Sequence, residues 1–147
     1  MYIHDRFFVE CVGPSMYPTL SVLGERLIVK PIHPSDAKLG DLVVLNSPTD
    51  PGKRVIKRIV ALPGTRAPDP LSRKGTTVVP HGQVWLAGDS ERYALDSRHW
   101  GPVPLSLIQK RVVCRASFTS PDIPPPPTSI IEKYNLPSSG KKEKSGK

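Results

Sequence analysis

The sequence has 147 residues, enough for one domain and a tail, and its 18 prolines and 11 glycines predict many turns and few long helices. The net charge of +8 could suit nucleic acid, but basic and aromatic residues do not alternate, so we interpret it as a solvated basic surface. No zinc-ligand spacing or nucleotide-binding fingerprint is present, so we expect no metal and no cofactor. No apolar stretch approaches the roughly 20 residues of a membrane span.

Short apolar runs separated by turn residues predict a series of β-strands. A helical turn is expected at residues 104–109, whereas residues 65–75 and 88–104 are polar and turn-rich, as loops are. Short β-branched runs with frequent turns favour an all-β domain of packed sheets or a barrel. The predicted strands cover residues 7–12, 26–30, 42–45, 54–62, 76–79, 83–87 and 108–115.

The composition changes near residue 120. A run of prolines occupies residues 124–127, and residues 138–147 are rich in serine, glycine and lysine. Such a segment buries too little apolar surface to offset the entropy lost on ordering. We therefore expect a folded domain over residues 1–119 and a disordered tail over residues 120–147.

Lys57 is the best candidate for a catalytic base. A serine hydroxyl needs a base to take its proton, and none of the four scattered histidines has a setting that suggests this role. In a strand, Val55, Lys57 and Ile59 share one face, so an ammonium lies between apolar neighbours that favour its neutral form. The alternative is an edge-strand lysine whose head stays in water.

Ser15 is the best candidate nucleophile. It lies in a turn directly after a predicted strand, where Gly13 permits a tight backbone. Pro14 has no N–H, so an oxyanion donor in this turn must come from the N–H of Ser15 or from another neighbour. The alternative is an ordinary turn serine. Ser15 and Lys57 are far apart in sequence and must meet through tertiary structure.

Four segments, in order, resemble the conserved boxes of type I signal peptidases. They are Gly13-Pro-Ser-Met-Tyr-Pro-Thr-Leu20, Gly40-Asp-Leu-Val-Val-Leu45, Lys57-Arg-Ile-Val-Ala-Leu-Pro-Gly64, and Gly88-Asp89 with Asp96-Ser-Arg98-His-Trp-Gly-Pro-Val-Pro104. The resemblance spans residues 11–115. It implies a mainly β fold: a compact signal-peptidase-like β-sheet domain, related to that of self-cleaving repressors, followed by the disordered tail.

The resemblance also implies a role for each matching residue. Ser15 would attack the scissile carbonyl, and Lys57 would take the hydroxyl proton and later activate water. Gly13 and the N–H of Ser15 would form the oxyanion turn. Four residues would brace the site without reacting, namely Asp96, Arg98, Gly88 and Asp89.

Among the departures from the family pattern, two concern the proposed catalytic dyad. Some members carry a serine at the position of Gly13 as a second oxyanion donor, and many carry a serine at the position of Ala94 that hydrogen-bonds the base lysine. Both hydroxyls are missing here. The alternative function is therefore a catalytically weak or inactive member that acts as a binding subunit of a protease complex.

The implied activity is that of a serine endopeptidase that removes signal or sorting peptides from membrane-targeted precursors. Within the family the chain resembles the compact mitochondrial inner membrane proteases, and residues 47–51, 79–85 and 100–108 favour the second catalytic subunit over the first. The expected location is the inner membrane, facing the intermembrane space, with the outer face of a bacterial cytoplasmic membrane as the alternative. Expected partners are precursor proteins, a second protease subunit and the membrane surface, but not nucleic acid.

Several expectations concern the start of the chain and its cysteines. Family members carry a membrane helix before the nucleophile, and only 14 residues precede Ser15, so we expect a truncated or mis-started chain or one held by a partner. The apolar residues Phe7, Phe8, Met16 and Tyr17 suit a membrane-facing lip or the core equally. Cys11 and Cys114 are expected to be free thiols. A self-cleaving repressor is disfavoured because no DNA-binding helical module precedes Ser15.

Overall fold

A computed structural model describes residues 8–137, which form a seven-stranded antiparallel sheet and a separate two-stranded sheet. The order in the large sheet is β1-β2-β9-β3-β4-β7-β8, and β5 pairs with β6. The strands are β1 (Phe8–Cys11), β2 (Glu25–Pro31), β3 (Leu42–Asn46), β4 (Arg54–Ala61), β5 (Arg66–Pro68), β6 (Thr76–Val78), β7 (Gln83–Ala87), β8 (Val103–Pro104) and β9 (Ile108–Arg115). The helices are α1 (Ser97–Trp100) and α2 (Thr128–Tyr134), with 3-10 turns at Pro34–Asp36 and Leu105–Leu107.

The mainly β prediction is confirmed, and each of the seven predicted strands is observed with its ends within one residue of the expected positions. The helical turn expected at residues 104–109 is the 3-10 turn Leu105–Leu107. Strands β5 and β8 and helix α1 lie in segments that were expected to be loops. They have three, two and four residues, too few to produce a hydrophobic period in the sequence.

Strand β4 runs through the centre of the core, and every residue from Ile56 to Ala61 is buried. Ile56 packs on one face of the sheet with Leu42 and Val44, whereas Ile59 packs with Val43 on the other. Because side chains alternate along a strand, the two cations between them, at residues 57 and 58, point to opposite faces. Each face of β4 therefore carries one buried basic side chain among apolar neighbours.

The expectation of a disordered tail from residue 120 is wrong for the part of it that the structure describes. Ile130 is fully buried, and Tyr134 and Leu136 are nearly so, in a cluster with Trp85 of β7. The segment from residue 120 has few apolar residues, but these three pack against apolar side chains of the strands. Residues 138–147 lie outside the described part of the chain, where disorder stays a prediction.

The apolar residues near Ser15 divide between core and surface. Met16 is fully buried, Phe8 is partly buried and Tyr17 is exposed, whereas Phe7 lies outside the described residues. Between residues 8 and 137, none of the helices combines the length and apolar character needed to cross a membrane.

Candidate active site

Ser15 and Lys57 line the same cleft, which has a volume of about 540 Å³. One wall is β1 and the loop that follows it, and the other is the β3–β4 hairpin. Tyr93, Leu95 and Trp100, from the segment after β7, complete the lining. The fold thus brings together the two residues that the sequence singled out.

The loop that carries Ser15 is held at several points. The N–H of Gly13, whose φ is +107°, donates to the carbonyl of Val22 at 3.0 Å. The carbonyl of Ser15 accepts a hydrogen bond of 2.9 Å from the N–H of Ser90, and the Met16 side chain anchors the loop in the core. Among residues 8–137, no group accepts a hydrogen bond from the N–H of Ser15. That donor is therefore open to an oxyanion.

Gly88 lies against the loop of residues 12–24, called the nucleophile loop because it carries the candidate nucleophile Ser15. A Cβ atom built on this residue would lie 2.3 Å from the Cβ of Ala94 and 2.7 Å from the carbonyl oxygen of Ser15. Contacts that short do not occur between real side chains and their neighbours. Only glycine allows the end of β7 to approach the nucleophile loop this closely.

Lys57 is buried without a partner. Its side chain is 3% exposed, and it forms no hydrogen bond or ion pair with any residue between 8 and 137. Burial lowers the pKa of Lys57, and the nearby Asp96 carboxylate opposes this by raising it. A lowered pKa enlarges the neutral fraction of the amine, which is the form that can accept a proton.

Asp96 organises the segment next to the cleft. Its carboxylate is fully buried, accepts hydrogen bonds from the N–H of Gly88 at 2.9 Å and of Arg98 at 3.1 Å, and caps α1. The Nε of Arg98 lies 2.9 Å from Asp96 Oδ1, and this hydrogen bond raises the pKa of the guanidinium. With both partners committed to each other, the pair has the contacts of a structural brace.

Asp89 forms a second buried ion pair, which the sequence analysis did not recognise. Arg58 donates to both carboxylate oxygens of Asp89, at 2.9 and 2.7 Å, and to the carbonyl of Gly40 at 2.7 Å. The hydroxyl of Thr19 donates to the same carboxylate, which ties the nucleophile loop to the pair. The available signal was Arg58 itself, a second cation inside the apolar run of β4.

Further side chains add chemistry to the cleft. Cys11 lines it and is a free thiol, as is Cys114 on β9. Burial raises the pKa of the Cys11 thiol, and the neighbouring Lys57 opposes that shift. In the described part of the chain, no three His, Cys, Asp or Glu side chains are grouped as a metal site would require.

A family model described as signal peptidase, peptidase S26, matches residues 6–69 and 66–118. The chain belongs to this family. Membership confirms the prediction of a serine peptidase of the signal-peptidase type, and the curled antiparallel sheet is the fold that the resemblance implied.

Curated relatives include subunits of mitochondrial inner membrane proteases. The chain is 44% identical to subunit 1 from Schizosaccharomyces pombe in an alignment of 119 residues that covers 77% of this chain and 76% of the relative. It is 34% identical to subunit 1 from Saccharomyces cerevisiae over 138 residues, covering 82% and 72%. Subunit 2 from S. pombe is 33% identical over 104 residues, covering 68% and 56%.

These identities correct the preference for the second subunit. That preference rested on three short segments, at residues 47–51, 79–85 and 100–108. The comparison over 119 residues gives the higher identity and the greater coverage to subunit 1 from the same yeast. The chain is thus more similar to that first subunit.

Proposed function

We propose that this chain is a catalytic subunit of a mitochondrial inner membrane protease, of the subunit 1 type. It removes signal or sorting segments from precursor proteins, with Ser15 as nucleophile and Lys57 as general base. One observation carries the proposal: an unpaired, buried lysine and a turn serine line the same cleft. The similarity to subunit 1 relatives supports the subunit type.

The geometry supports a two-step acyl transfer. Neutral Lys57 accepts the hydroxyl proton as Ser15 Oγ bonds to the scissile carbonyl carbon, and the N–H of Ser15 donates to the resulting oxyanion. The Lys57 ammonium then gives its proton to the leaving amine, and an acyl-enzyme remains. Lys57 next takes a proton from water as the water oxygen attacks the ester carbonyl, and it then gives that proton to the Ser15 oxygen as the acyl–oxygen bond breaks, which restores both residues.

The supporting roles divide between two ion pairs. Asp96 and Arg98 hold the segment that borders Lys57, and Asp96 supplies the negative charge that limits the fall of the lysine pKa. Asp89 and Gly88 hold the nucleophile loop from below, through Thr19 and through close contact. None of these four is proposed to react.

The second candidate is a binding subunit with weak or no catalysis. Gly13 and Ala94 provide no side-chain hydroxyl at the two positions where family members place one. Without the hydroxyl at Ala94, the amine of Lys57 has no hydrogen-bond partner in the described part of the chain. Poorer orientation of the base would lower the rate.

We also propose that the cleft works beside a membrane or a second subunit, on the intermembrane-space side of the inner membrane. Exposed apolar side chains flank the nucleophile loop: Val12 is 73% exposed, Tyr17 53% and Leu23 93%. An apolar rim next to a cleft is typical of a surface that contacts lipid or protein. Flotation of the chain with liposomes, compared with a Val12→Ser/Leu23→Ser variant, tests the membrane contact.

The test of function uses the purified chain and a precursor that carries a sorting segment, with cleavage followed by mass spectrometry. Ser15→Ala and Lys57→Met should each slow cleavage by about 10³-fold or more, as loss of a nucleophile or general base does. Ser106→Ala and Lys30→Met change exposed residues of the same types and should match wild type. A wild type no faster than Ser15→Ala would favour the binding subunit.

A further inference from the structure

Helix α2 lies beyond residue 118, where the match to the family model ends, yet it packs close to the proposed active site. Ile130 is fully buried and Tyr134 nearly so, in a cluster that includes Ala87 at the end of β7. Ala87 directly precedes Gly88, which contacts the nucleophile loop. The helix thus packs in an apolar cluster that extends to the end of β7, next to Gly88.

A chain of ion pairs also connects α2 to the site. Lys133 Nζ donates to Glu91 Oε2 at 3.1 Å, and the same oxygen lies 3.8 Å from Arg98 Nη1. The Glu91 carbonyl accepts a hydrogen bond of 2.9 Å from Arg98 Nη2. Arg98 in turn holds Asp96 at 2.9 Å. Polar contacts therefore run without a gap from α2 to the carboxylate that faces Lys57.

Tyr134 of α2 also lies near the Asp96–Arg98 pair. Its hydroxyl is buried and has no hydrogen-bond partner among residues 8–137. Burial, and after it the charge of Asp96, raises the pKa of Tyr134 to about 12, and Arg98 opposes the shift. The phenol is therefore neutral near pH 7, and it lies close enough to the Asp96–Arg98 pair to interact electrostatically with both charges.

We propose that α2 is a positioning element of the active site, which holds the segment from Gly88 to Arg98 in the geometry that Ser15 and Lys57 require. This inference rests on the proposed function. No residue of α2 is among those that line the cleft. The helix therefore acts on the catalytic groups through the segment that it braces, and not on the substrate.

Two kinetic effects distinguish positioning from simple stabilisation. Because α2 does not line the cleft, loosening it should lower kcat through the catalytic groups, without removing a contact between the helix and substrate. The groups that act on Lys57 are Asp96 and Cys11, which raise its pKa, and Lys53 and Arg98, which lower it. Asp96 is the largest of these, so a loosened brace should move the acid limb of the kcat profile to lower pH.

The experiment compares full-length variants at a temperature at which each is folded. Ile130→Ala should lower kcat about tenfold by loosening the braced segment, and Lys133→Ala should lower it about threefold, since that ion pair is largely exposed. Lys133→Arg should restore the wild-type rate. The matched control is Glu132→Ala, an exposed acid on the same helix, which should behave as wild type.

Each outcome decides the proposal. If Ile130→Ala and Lys133→Ala lower Tm but leave kcat and the acid limb unchanged, α2 is only a structural support and the proposal is wrong. If Ile130→Ala does not fold, Lys133→Ala and its arginine rescue carry the same test.

A readout without substrate separates this proposal from the proposed function. NMR titration of ¹³Cε-labelled lysine, with Lys57→Met to assign the signal, reports the Lys57 midpoint even if the wild type cleaves nothing. A lower midpoint in Lys133→Ala supports the positioning role, and an unchanged midpoint overturns it.

Discussion

Lys57 and Arg58 are neighbours in β4 and equally buried, at 3% and 4% exposure, but their surroundings are opposite. Arg58 has three hydrogen bonds, two of them to Asp89 and one to Gly40. Lys57, on the other face, has no such partner within residues 8–137 and borders the cleft. A buried cation is costly unless it is paired or loses its proton. Arg58 is paired, whereas burial lowers the pKa of Lys57 and so favours loss of its proton.

The difference follows from the chemistry of the two side chains. A guanidinium does not deprotonate in proteins, so burial of Arg58 requires a carboxylate and carbonyl placed to match its planar donors. An ammonium can become a neutral amine, so burial of Lys57 without a partner favours the form that can accept a proton. Because the strand turns these neighbouring cations to opposite faces, one can support the structure while the other is available for the proposed chemistry.

The largest expected effect on stability comes from removing the carboxylate that pairs with Arg58, which would leave it without an ion-pair partner, like Lys57. Asp89→Ala leaves a guanidinium buried without its carboxylate, which should lower the free energy of unfolding by about 3–5 kcal/mol. Urea denaturation measures this loss. Asp122→Ala, at an exposed acid, is the control and should change little. A loss below about 1 kcal/mol would mean that Arg58 reaches other partners or water, against the role assigned to Asp89.

The next effect concerns Gly88, which directly precedes Asp89, the partner of Arg58, and contacts the loop that carries Ser15. Gly88→Ala places a methyl against the Cβ of Ala94 and the carbonyl of Ser15, so the nucleophile loop must shift. We expect a loss of about 1–3 kcal/mol in stability together with a fall in kcat. Gly52→Ala, where a methyl has room, is the control. Unchanged kcat would show that the loop tolerates the shift and that the close contact is not needed.

A smaller effect is the pH dependence of stability that the titration of Lys57 should cause. The folded-state pKa of Lys57 is lowered by burial, so between that pKa and the ordinary value of 10.5 the unfolded chain holds a proton that the folded chain has released. Wild-type stability should therefore rise with pH across this window.

Lys57→Met removes that dependence, because methionine fills a similar volume without a charge. The variant should be more stable than wild type, with the largest gap below the folded pKa and a shrinking gap as pH approaches 10.5. Denaturation at a series of pH values measures the gap. Lys30→Met, at an exposed site, should show a gap that does not vary with pH. A constant gap for Lys57→Met would mean that the amine stays protonated in the fold.

The comparison also shows what the sequence can predict. Strands were found because turns separate their short apolar runs, and Lys57 stood out because it interrupts the longest of these. Ser15 looks like any turn serine, and only the ordered motifs distinguished it. The partner of Arg58 and the contact at Gly88 depend on distances between segments far apart in sequence. Helix α2 was missed because the composition of the segment does not show that its few apolar side chains pack together against the sheet.

The smallest expected effect is on kcat, and it comes from a substitution that would give Lys57 a hydrogen-bond partner. Ala94 is buried between Gly88 and Arg98, and many family members have a serine at this position that hydrogen-bonds the base. Ala94→Ser should orient the amine and raise kcat up to about fivefold, in line with about 1 kcal/mol for a neutral hydrogen bond. Ala116→Ser, at an exposed alanine, should leave the rate unchanged. A fall in kcat would show that this site is packed for a methyl group and that its lysine works best unpaired, in which case the missing hydroxyl is an adaptation and not a defect.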